Sequence, residues 1–264
     1  MIEVTQGSGP IVLGVPHTGT DVPVDIAGML NDRGLALADT DWNIHRLYGG
    51  LLDNVTTVRA PIHRYVIDVN RGPDDASLYP GQNTTGLCPV TDFDGNPIYR
   101  DGCEPDAQEI ERRRQTYHAP YHRALSTELA RVKAIHGMAI LYDCHSIRGK
   151  IPYLFADTLP DFNIGTNSST SCAVSMEKAV EEICQSVPGF TSVVNGRFKG
   201  GWTTRNYGHP VRGIHAIQME LAQSTYMQEA PPWTYDKARA DHLRGTLSRI
   251  LNALEQLVYS GGSL

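Results

Sequence analysis

The stretch MAILYDCHSIRG (138–149) decides the fold. An apolar run of strand length breaks off abruptly into Asp143, Cys144, His145 and Ser146. Such a run reads as a buried strand, and open α/β sheets collect their functional groups where strands end at their carboxyl side. On extended chain Asp143 and His145 point to one side and Cys144 to the other. Cys144 is therefore expected in the packing, as a small hydrophobe rather than a nucleophile.

Working outward, the same kind of run recurs. IVLGV (11–15), NVTTV (54–58), YVIDV (65–69), PYLFA (152–156), TSVV (191–194) and IHAIQMEL (214–221) have strand length and β-branched or aromatic content. Helical patterns lie between them, around 39–52, from about 105 to 135, at 172–187 and at 234–258. Alternation of this kind predicts a largely parallel or mixed sheet with helices on both faces. Pro120 falls inside the long helical segment, so a kink or two helices are expected there. Residues 71–104 are rich in Gly, Pro, Asp and Asn. That is long for a connection, as in a functional lid, and TDFDGNPIY within it reads as a hairpin turning at Asp94-Gly95. Nothing breaks the chain into two domains, and the tail SGGSL reads as a frayed end.

The 264 residues, 41% of them hydrophobic, suffice for one substantial core. A formal charge of −6 without a basic run argues against a nucleic-acid partner, because phosphate binding needs a dense cationic face. No window approaches the roughly 20 apolar residues of a membrane span, and no signal segment opens the chain, so a soluble cytoplasmic protein is expected. Five scattered cysteines without a Cys-x-x-Cys pair disfavour a disulfide framework and a thiolate metal site alike. A metal would be held by histidine and carboxylate.

Two histidines suit that role. His17, in a Pro- and Gly-bounded turn after the first predicted strand, and His145 both end strands. A lone turn histidine usually caps backbone groups; two at strand ends of one fold suggest more. Asp39 and Asp41 open a predicted helix, where one carboxylate could cap and the other is spare. Two imidazoles and one carboxylate with one position left open make a catalytic zinc donor set. Asp143 would support His145 or replace the third ligand. Glu220 closes an apolar strand, costly for a carboxylate unless exposed, paired or used; the functional reading is a general base for an attacking water. Asn70-Arg71 follow a predicted strand, and Arg197, Lys199 and Arg205 surround Gly200-Gly201. Arginines beside open backbone can grip a small carboxylate.

PHTGTDVP, DTDWNIHRLY, VIDVNRGPD, DCHS, PDFNIGT with SC shortly after, FKGGWTTRNYG and HAIQMELAQSTYM occur in this order. Across roughly residues 11 to 228 the chain resembles the N-formylglutamate amidohydrolase family. The resemblance implies a three-layer α/β/α domain, phosphorylase/hydrolase-like and related to zinc carboxypeptidases. It also implies a metal-dependent site that cleaves N-formyl-L-glutamate to formate and L-glutamate in histidine degradation. By position it makes His17 and His145 metal ligands, Asp41 the carboxylate ligand and Glu220 the general base. Arg71 and Arg205 would hold the two substrate carboxylates, with Asn70, Gly200 and Gly201 assisting. The carboxypeptidase relatives carry a glutamate three residues after the first histidine; this chain has Thr20 there, so Asp39 and Asp143 remain rivals to Asp41. The metal expected is Zn2+ and the partner a small N-acyl amino acid. An amidohydrolase acting on another N-acyl amino acid or small peptide, and a non-catalytic carboxylate-binding protein, are the alternatives.

Overall fold

The computed structural model describes residues 1–78 and 81–260. Among them seven strands form one mixed sheet: β1 (Glu3–Thr5), β2 (Ile11–Val15), β3 (Thr56–Arg59), β4 (Ala139–Ile147), β5 (Phe162–Gly165), β6 (Ser192–Val194) and β7 (Ile214–Ala222). The order is β1-β3-β2-β4-β7-β5-β6. The contacts β2–β3, β2–β4, β4–β7 and β5–β6 are parallel, whereas β1–β3 and β5–β7 are antiparallel. The sheet is thus largely parallel, as the alternation of runs predicts.

The helices are α1 (Val24–Ala27), α2 (Asp32–Leu35), α3 (Ile44–Tyr48), α4 (Ala107–Arg113), α5 (Ala119–His136), α6 (Val174–Gln185), α7 (Trp202–Tyr207) and α8 (Lys237–Tyr259). They cover both faces because the strands are apolar on both. Ile140, Tyr142 and Cys144 pack with α3, α6 and α8 through Leu47, Met176 and Leu243. Ala139 and Leu141 face the other way, against Tyr121, Leu125 and Leu129 of α5. Each buried Leu or Ile side chain contributes roughly 1.5–3 kcal/mol. Cys144 lies in the packing as its alternation with Asp143 and His145 predicts.

Four expectations are corrected. YVIDV (65–69) is buried but not a strand: turns bend it, with Val66 N–H donating to His63 O at 2.9 Å and Arg71 N–H to Asp68 O at 3.1 Å. Its apolar side chains fill the core without any sheet neighbour to extend the backbone. PYLFA (152–156) likewise forms a turn, Leu154 and Phe155 N–H both donating to Ile151 O. The helix predicted from 39 to 52 shrinks to Ile44–Tyr48, entered through Asn43 at φ +64°. Asp39 and Asp41 therefore do not cap it; both are buried and turned to other partners. The run PDFNIGT, in turn, contains strand β5.

The long helical segment is interrupted as Pro120 suggests. A π turn, Arg114–His118, separates α4 from α5, so the missing proline N–H falls in the first turn of α5. Within 71–104 the Asp94-Gly95 turn forms, with a bridge between Thr91 and Pro97. Asp92 fixes it by accepting the Asp94 and Asn96 N–H groups on Oδ1. Of the predicted frayed tail SGGSL, residues 261–264 lie outside the described residues, as do 79–80 of the long loop.

Candidate active site

Register builds one side of the site. In the parallel pair β4–β7, Asp143 lies opposite Gln218 and His145 opposite Glu220. With the two-residue period of a strand, all four side chains emerge on one face at the carboxyl end of the sheet. Space for Asp143 comes from its neighbour on β2: a Cβ on Gly14 would stand 2.8 Å from Asp143 Oδ1.

His17 arrives from the turn after β2, and its backbone carbonyl accepts the Asp41 N–H at 3.0 Å, which draws Asp41 alongside. His17 Nδ1, His145 Nδ1 and Asp41 Oδ2 form a triangle with sides of 3.2, 3.3 and 3.8 Å. Three donors about 2 Å from a tetrahedral centre stand about 3.3 Å apart, so the spacing suits one small cation. The outer ring nitrogens agree. His17 Nε2 lies 2.7 Å from Asp68 Oδ1 and His145 Nε2 lies 2.9 Å from Asp143 Oδ2, so each imidazole donates outward to a carboxylate and aims Nδ1 inward. Asp41 Oδ1 is buried without a hydrogen-bond partner among the described residues. The donor set therefore fits a divalent ion.

Positive charge already gathers at this point. Arg64 Nη2 contacts His17 Nδ1, and its Nη1 is 3.7 Å from Asp41 Oδ1. A guanidinium only donates, so His17 Nδ1 carries the lone pair. Burial and the charge of Arg64 hold His17 below the ordinary histidine range. His145 goes the other way: burial opposes its charge, but Asp143 and Asp41 outweigh that and hold it well above. Asp68 stays ionised despite burial, through His17 and Arg64.

Glu220 is buried beside this cluster. Burial pushes its carboxyl up to about 8, against the pull of His145 and Arg64. A carboxyl poised near neutrality can both take and return a proton. Its orientation follows from Gln218, whose Oε1 accepts the Gly201 N–H at 2.7 Å. That leaves Gln218 Nε2 to donate to Glu220 Oε2 at 3.1 Å, so Oε1 is the oxygen left for proton transfer.

A cleft opens over these groups. His17, His145, Glu220, Asn70, Arg71 and Gly201 line it, and so do Arg64, Asp68, Gln218 and Arg197. Asn70 is pinned on two sides, its backbone N–H donating to Asp68 Oδ1 at 2.8 Å and its Oδ1 accepting the Thr203 N–H at 3.0 Å. Gly201 is required here, since a Cβ would come within 2.4 Å of the Asn70 amide.

Three expected residues stand elsewhere. Asp39 is not in the donor cluster: its Oδ2 accepts from Tyr65 OH and Phe93 N–H, each at 2.7 Å, and burial pushes it up to about 6. It anchors the long loop instead, and Asp143 supports His145 from behind rather than joining the triangle. Arg205 and Gly200 are not among the cleft-lining residues; Arg205 Nε donates to Gly200 O at 2.9 Å. Conversely, sequence reasoning passed over Asp68 and Arg64. Their signal is a charged residue at each end of the apolar run in RYVID, and turns rather than a strand bring both to the cleft.

Fold and site together define a class of protein: an α/β domain that gathers two histidines, an aspartate and a buried glutamate at the carboxyl ends of parallel strands, beneath an arginine-lined cleft. The chain belongs to the N-formylglutamate amidohydrolase family, whose model matches residues 9–227. It is 44% identical over 262 residues to an N-formylglutamate deformylase of Pseudomonas aeruginosa, covering 99% of this chain and 97% of that protein. Identity to an N-formylglutamate deformylase of Pseudomonas putida is 42% over 250 residues, 94% and 93% of the two chains. The fold is shared with an N-formylglutamate amidohydrolase from Ralstonia eutropha JMP134, with a TM-score of 0.82 at 24% identity and 98% of each chain covered. A gene product of Agrobacterium tumefaciens has a TM-score of 0.73 at 17% identity, covering 97% of this chain and 95% of that one.

Proposed function

We propose that this protein hydrolyses N-formyl-L-glutamate to formate and L-glutamate in histidine degradation, as a cytoplasmic enzyme dependent on a divalent ion, Zn2+, held by His17, Asp41 and His145. The observation that carries the reading is the convergent donor triangle, whose two histidines line one cleft together with Glu220 and Arg71. The names of the Pseudomonas relatives supply the substrate.

A divalent ion at the triangle would polarise the formyl carbonyl and lower the pKa of water towards about 7. The chain does the rest. Arg71, with Asn70 beside it, holds the carboxylate next to the amide. Glu220 Oε1 takes a proton as the water oxygen bonds to the formyl carbon, and returns it to the amide nitrogen as the carbon–nitrogen bond breaks. Asp68 and Asp143 keep the two imidazoles oriented through Nε2. Gly201 contributes by leaving room for Asn70 and by fixing Gln218 behind Glu220.

The reading is tested by formate release. Purified protein should release formate from N-formyl-L-glutamate, lose at least about 100-fold in rate after chelation, and recover when zinc, cobalt, nickel or manganese is returned. Faster release of acetate from N-acetyl-L-glutamate would redirect it to another N-acyl amino acid.

A further inference from the structure

The cleft wall carries two arginines beyond Arg64, and they differ in their distance from the chemistry. Arg71 follows Asn70, which touches His145, and its Nε is 4.0 Å from Asp68 Oδ2. It therefore stands one contact away from the donor triangle. Arg197 comes from the loop before α7. Its Nε donates to Leu154 O at 3.1 Å, its Nη2 donates to Asn83 O at 3.2 Å, and its guanidinium lies 5.3 Å from the Phe198 ring centroid.

The stretch Asn83 to Thr85 joins the two arginines. Arg71 Nη2 donates to Thr85 Oγ1 at 3.4 Å, and Arg197 donates to Asn83 O two residues earlier. The two cations thus border one continuous piece of cleft wall, with Leu154 and Phe198 supplying apolar surface on the Arg197 side. An N-acyl glutamate has a matching layout. One carboxylate sits on the carbon bonded to the scissile amide nitrogen, and the other lies beyond two methylenes. The near carboxylate must be met beside the donor triangle, where Arg71 is. The far one must be met along the wall, past an apolar stretch.

We propose, resting on the N-formylglutamate reading, that Arg197 is the specificity residue of this cleft and binds the side-chain carboxylate of the substrate. Arg205, whose Nε donates to Gly200 O, is not among the residues that line the cleft.

The experiment compares formate release from N-formyl-L-glutamate and N-formyl-L-glutamine, the latter replacing only the far carboxylate by an amide. Wild type should prefer the glutamate compound roughly 10- to 100-fold, the range for a charge-assisted hydrogen bond. R197Q should lose that factor on the glutamate compound, mostly in KM, and stay within about threefold of wild type on the glutamine compound, which also certifies its folding. R197K, which keeps the charge but not the fork, should retain part of the preference. A preference that survives R197Q, or that disappears in R205Q instead, overturns the assignment. If wild type releases formate from neither compound, the N-formylglutamate reading fails, and calorimetric binding then decides Arg197 separately. Selective binding of L-glutamate over L-glutamine by wild type but not by R197Q sustains the proposal; the same selectivity in both proteins, or none in wild type, overturns it.

Discussion

At the scale of single residues, Glu220 carries the sharpest consequence. Its Oε2 receives the Gln218 amide and its Oε1 remains for the proton, so replacing the carboxylate by an amide of the same shape removes the base and little else. E220Q is expected to bind metal as wild type does, by equilibrium dialysis, and to lose roughly 10²- to 10⁴-fold in kcat. Retained turnover would remove Glu220 from the chemistry. This residue was legible in the sequence because a carboxylate closing an apolar strand is costly without a use, and His145 was legible for a similar reason. Asp68 and Arg64 were not. Their positions depend on turns between residues 63 and 71, and the β-branched composition of that segment points to a strand. Arg197 lines the cleft and Arg205 does not, a difference that depends on the direction each long side chain takes and not on its place in the sequence.

At the scale of elements, the helical segment 107–136 does more than cover a sheet face. The π turn ahead of α5 brings His118 and His122 onto the Asn70-Arg71 segment: His118 Nε2 lies 2.9 Å from Arg71 O and His122 Nε2 lies 2.7 Å from Val69 O. Both imidazoles donate to carbonyls that no strand partner would satisfy. Burial first, then the neighbouring His118, pushes His122 down to about 3. An unfolded histidine titrates near 6.5, so between pH 6.5 and about 3 the unfolded chain binds the extra proton and the folded state loses stability as pH falls. From pH 7 to 5 this group alone should remove about 2 kcal/mol. H122Q keeps a donor in reach of Val69 O and cannot titrate; urea unfolding at the two pH values should show a loss smaller by about that amount. An identical loss would mean that His122 is not held neutral. Pro120 made the interruption predictable, whereas the π geometry and its two histidine contacts follow from packing against a segment the sequence misassigned.

At the scale of the molecule, the donor triangle joins three separate parts of the chain: the turn after β2, the approach to α3, and the end of β4. Each contributes one buried polar atom to a point where two imidazole nitrogens and a carboxylate converge. In the unfolded chain these residues are far apart, so an ion that binds all three binds the folded state almost alone. Such an ion stabilises by RT ln(1 + [L]/Kd), about 2.7 kcal/mol when its free concentration is 100-fold above Kd. For a chain near this size each kcal/mol moves Tm by roughly 2–4 °C, so an increase of roughly 5–11 °C is expected. The protein should be stripped by chelation, then titrated with zinc, cobalt, nickel and manganese and followed by scanning calorimetry. D41N, which weakens the anionic donor while keeping its shape, should reduce the shift, because a neutral amide is a far poorer ligand than a carboxylate for a divalent ion. The measurement is independent of turnover. A Tm indifferent to all four ions would remove the metal from the reading, leave the family and the fold untouched, and make Arg64 and His145 the positive charges on which the cleft depends.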